Sequence, residues 1–198
     1  MNKSNNNNKA FLLIAGMILL AAFSRLIPHW PNFTATGAIA LFGAAYFSKK
    51  YLALIVPVFA LWLSDLAINN IAYAELNESF VWFQSYQLYT IIPMIAIVLF
   101  GSYLFKKITA LKVLGGSIVA TAIFFLVSNF GTWLSPFSIF SPDAIGLVNT
   151  YVAGLPFALN SLLGNLFFST VMFASYSFIT KFYPTLSLNL NKPDYLSE

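Results

Sequence analysis

Long apolar stretches alternate with short polar segments along nearly the whole chain. A helix needs about 20 apolar residues to cross the hydrocarbon of a bilayer. On this basis we predict six membrane spans, at residues 9–27, 34–48, 51–70, 88–105, 111–134 and 155–181. The second span is short and rich in glycine and alanine, which is typical of a steep or partly re-entrant helix. The pattern therefore predicts an all-α integral membrane protein, a bundle of six transmembrane helices.

The two ends of the chain are polar and lie outside the predicted membrane domain, residues 10–183. Residues 1–9 are rich in asparagine, and this composition predicts a disordered N-terminus. Residues 184–198 are expected to form a loose tail. The apolar run from Ala10 is similar to the core of a signal peptide. Because it continues to Ile27 and further spans follow, we expect an uncleaved first helix.

The composition supports a bilayer environment. Hydrophobic residues make up 59% of the 198 residues and charged residues 8%, against roughly 45–50% and 25% in soluble domains. The chain contains no cysteine, which excludes a disulfide framework, a thiolate metal site and a cysteine nucleophile.

Basic residues are distributed unequally between the two sides of the predicted spans. All nine lysines fall on one side, and Arg25, the one arginine, falls on the other. Because cytoplasmic loops are enriched in lysine and arginine, we expect both termini to be cytoplasmic. The basic charge is thus a topology signal and does not indicate nucleic-acid binding.

Polar side chains collect in the outer half of the spans, whereas the inner ends carry lysines and little else. Ionisable residues within a membrane are costly and usually face a cavity or one another, so we predict a pocket that opens to the outside. The candidate substrate-binding residues are Arg25, His29, Asn32, Asp65, Asn69, Tyr86, Tyr89, Asn129, Trp133 and Asn160.

Several of these residues also have a structural interpretation, and the sequence leaves both open. Arg25 and Asp65 can pair with each other and lock two spans together. His29 can cap a helix, Trp133 can anchor the membrane interface, and Asn129 can bond two helices. A small-residue face on the second span, with Gly37, Ala40 and Ala44, fits either internal packing or docking of a partner membrane protein.

Catalytic motifs are absent from the sequence. It contains no phosphate-binding G-x-x-x-x-G-K-[ST] loop and no H-E-x-x-H pair, and its single histidine excludes a His-pair metal site. We therefore expect a protein that binds something and is not an enzyme. Two alternatives remain: an enzyme acting on a lipid, with His29 and Asp65 as its acid/base pair, and a structural subunit of a larger membrane complex.

Five segments carry a resemblance to known transport proteins. They are RLIPHWPNFTATGAIALFGAAYF (25–47), ALWLSDLAINN (60–70), YQLYTIIPMIAIVLFGS (86–102), LVSNFGTWLS (126–135) and YVAGLPFALNSLLGNLFF (151–168). The chain resembles the S components of energy-coupling-factor (ECF) vitamin transporters. It is more similar to solitary cobalamin transporters of the BtuM type and to an uncharacterised family of bacterial membrane transport proteins.

The resemblance implies an S-component-like bundle in a bacterial inner membrane, with its ligand near the outer helix ends. His29 and Asp65 match the family's outer histidine and the aspartate that ends span three, and Tyr86 or Tyr89 matches an aromatic residue before the helix of Pro93. The implied function is uptake of a small water-soluble vitamin or cofactor, cobalamin or another, with no permanently bound cofactor. The implied partner is an ECF-type energising complex, unless the protein acts alone.

Two features depart from the resemblance. BtuM-type proteins have a cysteine before span four as a cobalt ligand, and the equivalent region here is VWFQSYQ (81–87). S components carry an A-x-x-x-A docking motif on span one. In this chain that spacing occurs on span two, at Ala40 and Ala44.

Overall fold

The structure, a computed structural model, describes residues 3–187. Within that range the chain is helical and contains no strand, which confirms the all-α prediction. The helices are α1 (Lys3–Phe23), α2 (Thr36–Tyr46), α3 (Lys50–Ala67), α4 (Leu88–Leu104), α5 (Ala110–Leu134) and α6 (Ala144–Phe182). A π-helical turn, Ile68–Ala72, extends α3.

Five helices in residues 3–187 are long and apolar enough to cross a membrane, in agreement with a multi-pass membrane protein. The predicted second span, residues 34–48, needs correction. Helix α2 has 11 residues and is therefore ~16 Å long, too short for the roughly 30 Å of hydrocarbon. Every residue of α2 is buried, so it is a central helix of the bundle.

The coil before α2 supplies the missing length. Arg25, just after α1, pairs with Asp65 near the end of α3. Phe47, just after α2, packs on Phe11 in the first half of α1. Residues 27–47 thus return along α1 from its end to the level of Phe11, first as coil and then as α2. Asn32 makes a turn in this coil with a left-handed φ of 62°, a conformation that asparagine tolerates well.

Charged residues separate to the two ends of the bundle. We call the end that holds Arg25 and Asp65 the arginine end. The opposite end, which we call the lysine end, holds Lys49, Lys50, Lys106, Lys107, Lys112 and Lys181.

Helix α6 begins earlier than the predicted residue 155. Its 39 residues span about 58 Å. The Asp143 carboxylate caps its first turn by accepting from the Gly146 N–H at 2.7 Å, and Pro156 lies within it. This cap explains the early start, because it satisfies a backbone donor that has no partner inside the helix.

The chain termini also differ in part from expectation. Residues 3–9, predicted to be disordered, form the start of α1, because the helix continues outward from its apolar part. The predicted tail begins with a 3-10 turn, Pro184–Leu186. Residues 1–2 and 188–198 lie outside the described residues.

Candidate functional site

A cavity of about 440 Å³ opens among α4, α5, α6 and the coil before α2. Its volume lies within the roughly 300–1,000 Å³ of small-molecule sites. Its lining residues are Asn32, Tyr86, Tyr89, Thr90, Phe124, Phe125, Ser128, Asn129, Thr132, Phe140, Thr150, Ala153, Gly154, Phe157, Ala158 and Ser161. None of these side chains is charged, so the wall offers aromatic faces, amides and hydroxyls.

A second cavity of about 130 Å³ adjoins the first and reaches toward the middle of the bundle. The two cavities share Asn32, Thr90, Phe124 and Ser161 as lining residues. The smaller one adds Arg25, Thr34, Thr36, Gly37 and Asn165 to the wall. Of the residues that the structure describes, Arg25 is the one charged residue that lines either cavity.

Arg25 belongs to a hydrogen-bonded group that joins three helices at the arginine end. Its Nη1 donates to Asp65 Oδ1 at 2.6 Å and to the Ser64 hydroxyl at 2.9 Å. The Gln87 amide donates to the other carboxylate oxygen of Asp65 at 2.7 Å. The Asp65 side chain is 6% exposed and that of Arg25 is 19% exposed. The carboxylate is thus paired and bonded on both oxygens, as a buried charge requires.

Arg25, which lines the smaller cavity, also has N–H donors to spare. Both hydrogen bonds that Arg25 donates to described side chains leave from Nη1. Arginine carries five N–H donors in a fixed planar arrangement. The remaining donors are suited to a carbonyl or carboxylate oxygen of a bound molecule.

Close approach of helices shapes the wall of the larger cavity. A Cβ on Gly131 would collide with the ring of Tyr89, and a Cβ on Gly154 would collide with the amide of Asn129. Asn129 also donates to the Phe125 carbonyl at 2.8 Å. The two glycines therefore allow Tyr89 and Asn129 to lie where they line the cavity.

Asn165 closes the inner end of the smaller cavity by capping α2. Its Oδ1 accepts from the Ala38 N–H at 3.2 Å, and its Nδ2 donates to the Thr121 hydroxyl at 3.0 Å. The Ala38 N–H belongs to the first turn of α2, where backbone donors have no partner within the helix. Helix α6 thus supplies a cap for α2 across the bundle.

The structure brings five of the ten candidate residues to the cavities and places the rest elsewhere. The five are Arg25, Asn32, Tyr86, Tyr89 and Asn129. Asp65 pairs with Arg25 and is not among the lining residues of either cavity. Asn69 accepts a hydrogen bond from the Tyr86 hydroxyl at 3.4 Å. Trp133 donates to the Ser141 carbonyl, and Asn160 to the Pro31 carbonyl, so these two side chains hold loops.

His29 is exposed, and its Nδ1 lies 2.9 Å from the Trp30 carbonyl. It is not among the residues that line the two cavities. Its hydrogen bond thus goes to the backbone, while those of Asp65 go to Arg25 and Gln87. In the described part of the chain, no group of three histidine, aspartate or glutamate residues is placed to hold a metal ion.

Other lining residues were not among the candidates, notably Thr90, Phe124 and Ser128. A signal was present in the sequence, because Phe124, Ser128 and Thr132 are spaced four residues apart and so share a helix face. Ser161 and Asn165 have the same spacing on α6.

Comparison with known proteins places the chain in a family without naming an activity. Neither a curated protein nor a solved structure matches it. The model of a family of unknown function, DUF6580, matches residues 5–186. Because this match covers nearly the whole length, the chain belongs to DUF6580.

Proposed function

We propose that this protein is a membrane transporter, or the substrate-binding component of one, that captures a small water-soluble vitamin or cofactor for uptake. The observation that carries the proposal is the 440 Å³ cavity at the arginine end, lined by aromatic and uncharged polar side chains. The lysines collect at the opposite end, and the positive-inside rule then orients the cavity outward. The proposed location is a bacterial inner membrane, with both termini in the cytoplasm.

The cavity wall favours an uncharged, planar ligand with polar edges. Aromatic side chains stack on flat rings, while Asn129 and the neighbouring hydroxyls can hydrogen-bond to ring substituents. A carbonyl that reaches the smaller cavity would meet the free donors of Arg25. Cobalamin is a less suitable ligand, because no lining residue is a histidine and the corrin with its nucleotide tail exceeds the cavity volume. A smaller, metal-free vitamin is the favoured cargo.

Release to the cytoplasm would require rearrangement around α2, whose capped N-terminus lies beneath the smaller cavity. Ala40 is fully buried and Ala44 is 9% exposed, so the small-residue face packs within the bundle. An ECF-type partner would therefore dock on another surface, and a solitary transporter is the simpler form of the proposal. The His29–Asp65 arrangement offers no support for a lipid enzyme, and a cavity of this size is not expected of a purely structural subunit.

The test compares the small molecules bound by the wild-type protein and by two variants, Ala153→Trp and Ala122→Trp. Ala153 lines the cavity, whereas Ala122 on α5 is exposed and does not line it. Protein purified gently from cells grown in rich medium is denatured, and the released molecules are identified by mass spectrometry. Riboflavin, biotin, thiamin and cobalamin are then titrated while thermal unfolding is followed.

We expect a near-stoichiometric molecule, or a stabilising vitamin, with wild type and Ala122→Trp. Ala153→Trp should lose the bound molecule and the stabilisation by the vitamin, because the indole fills the cavity. Equal occupancy in both variants, or no binding by any of the three proteins, would contradict the proposal.

A further inference from the structure

A groove of about 460 Å³ runs between α3 and α4 at the lysine end, away from the cavities described above. Its polar part contains Lys50, Lys106 and Ser102, and its apolar walls include Leu54, Ile95 and Leu99. The remaining lining residues are Tyr51, Val98 and Tyr103.

The part of the protein that the structure describes does not compensate the positive charge of this groove. Among residues 3–187, the one ion pair joins Arg25 and Asp65. The described carboxylates all lie at the arginine end: Asp65 near the end of α3, Glu75 and Glu78 between α3 and α4, and Asp143 just before α6. Within residues 3–187, Lys50 and Lys106 therefore line the groove without a carboxylate to neutralise them.

The two lysines are placed differently from their neighbour Lys112. The Lys112 ammonium donates to the Leu104 carbonyl at 2.9 Å and so closes the end of α4. Lys106 instead extends over the ring of Tyr103, 5.1 Å from its centroid. A cation over a tyrosine face is held in position yet remains able to bind an anion.

The apolar walls continue from the lysines along the surface that faces the membrane. Leu99 is 62% exposed, and Ile55 and Ile92 on the same two helices are about half exposed. Two lysines at one end of an apolar groove form a surface that is complementary to an anionic group attached to a hydrocarbon chain. Basic pockets between transmembrane helices bind anionic lipid headgroups in this way.

We infer that the groove is a binding site for an anionic phospholipid. The phosphate lies between Lys50 and Lys106, and an acyl chain follows Leu54, Ile95 and Leu99. This inference does not depend on the proposed transport function, because it uses neither cavity at the arginine end.

The test measures lipid adducts of the full-length protein in detergent by native mass spectrometry. The probes are dioleoyl phosphatidylglycerol and, for comparison, dioleoyl phosphatidylcholine. The variant Lys50→Gln with Lys106→Gln removes the proposed site. The control, Lys107→Gln with Lys181→Gln, removes the same charge from exposed lysines at the same end that do not line the groove.

We expect wild type to take up phosphatidylglycerol first, with apparent affinity falling about thirtyfold in the groove variant and little in the control. Phosphatidylglycerol should also raise the unfolding temperature of wild type and control but not of the groove variant. Equal weakening in both variants would show attraction by bulk charge alone and overturn the site. Equal binding of phosphatidylcholine, or displacement of the lipid by millimolar inorganic phosphate, would overturn it as well.

Discussion

Arg25 and Asp65 close the arginine end of the bundle, with guanidinium Nη1 donating to carboxylate Oδ1 at 2.6 Å. The contact joins the turn that follows α1 to α3, and the second carboxylate oxygen extends it through Gln87 to the turn that precedes α4. The same arginine lines the smaller cavity. One residue therefore links the stability of the bundle to the wall of the proposed binding site.

Removing the arginine should destabilise the protein strongly. In Arg25→Ala, Asp65 remains buried with Gln87 as its remaining side-chain partner, and loss of one member of a buried pair costs about 3–5 kcal/mol. Thermal unfolding in detergent would show the loss. A change below about 1 kcal/mol would mean that the pair contributes little.

Reversing the pair separates its structural role from contact with a ligand. Arg25→Asp combined with Asp65→Arg should recover part of the stability lost in Arg25→Ala, because opposite charges again face each other. Ligand binding should not recover, since position 25 would then present a carboxylate to the cavity. Full recovery of binding would show that the pair acts only as a lock.

Asn165→Ala should destabilise the central helix. The substitution leaves the Ala38 N–H without its acceptor, and an unsatisfied buried donor costs about 1–3 kcal/mol. The Thr121 hydroxyl loses the donor Asn165 but still donates to the Ser117 carbonyl. Thr121→Val leaves the bond between Asn165 and the Ala38 N–H in place and should cost less. The unfolding temperatures of both variants would show which substitution destabilises the protein more. An equal loss of stability in the two variants would argue against the cap on α2.

Gly154→Ala should reduce both stability and binding. The added Cβ would strike the Asn129 amide, and a forced shift in a packed region costs about 1–3 kcal/mol. Gly115 offers the matched control, because nothing lies within 4 Å of its added Cβ. Gly115→Ala should be neutral or stabilise by up to about 1 kcal/mol. Similar effects of the two substitutions would contradict the close approach of α5 and α6.

The start of α6 should loosen in acid. The Gly146 N–H and then the Ser141 hydroxyl, by donating to Asp143, hold the pKa of that carboxyl below its usual value of 3.8. Because the folded pKa is the lower one, this stabilisation is present above pH 3.8 and is lost as pH falls through the folded pKa. Hydrogen exchange at residues 144–150 should therefore quicken in strong acid, and Asp143→Asn should lack this response.

The lengths of the apolar runs were sufficient to predict five of the helices. Spans three, four and five agree with α3, α4 and α5 to within a few residues, because the cost of exposing backbone to hydrocarbon makes a long apolar run helical. The pairing of Arg25 with Asp65 was one of two roles that the sequence left open, and the structure shows the ion pair.

Only the tertiary structure decided which side chains share a cavity. A helix that is apolar on all sides does not reveal in its sequence which face meets a neighbour, so Thr90 could not be ranked above Trp133 or Asn160. The length of α2 also depended on packing, because Asn165 caps it from another helix while Asn32 turns the coil that precedes it. Hydropathy along the chain thus determined which segments form the long helices, and contacts between distant segments determined which side chains line the cavities.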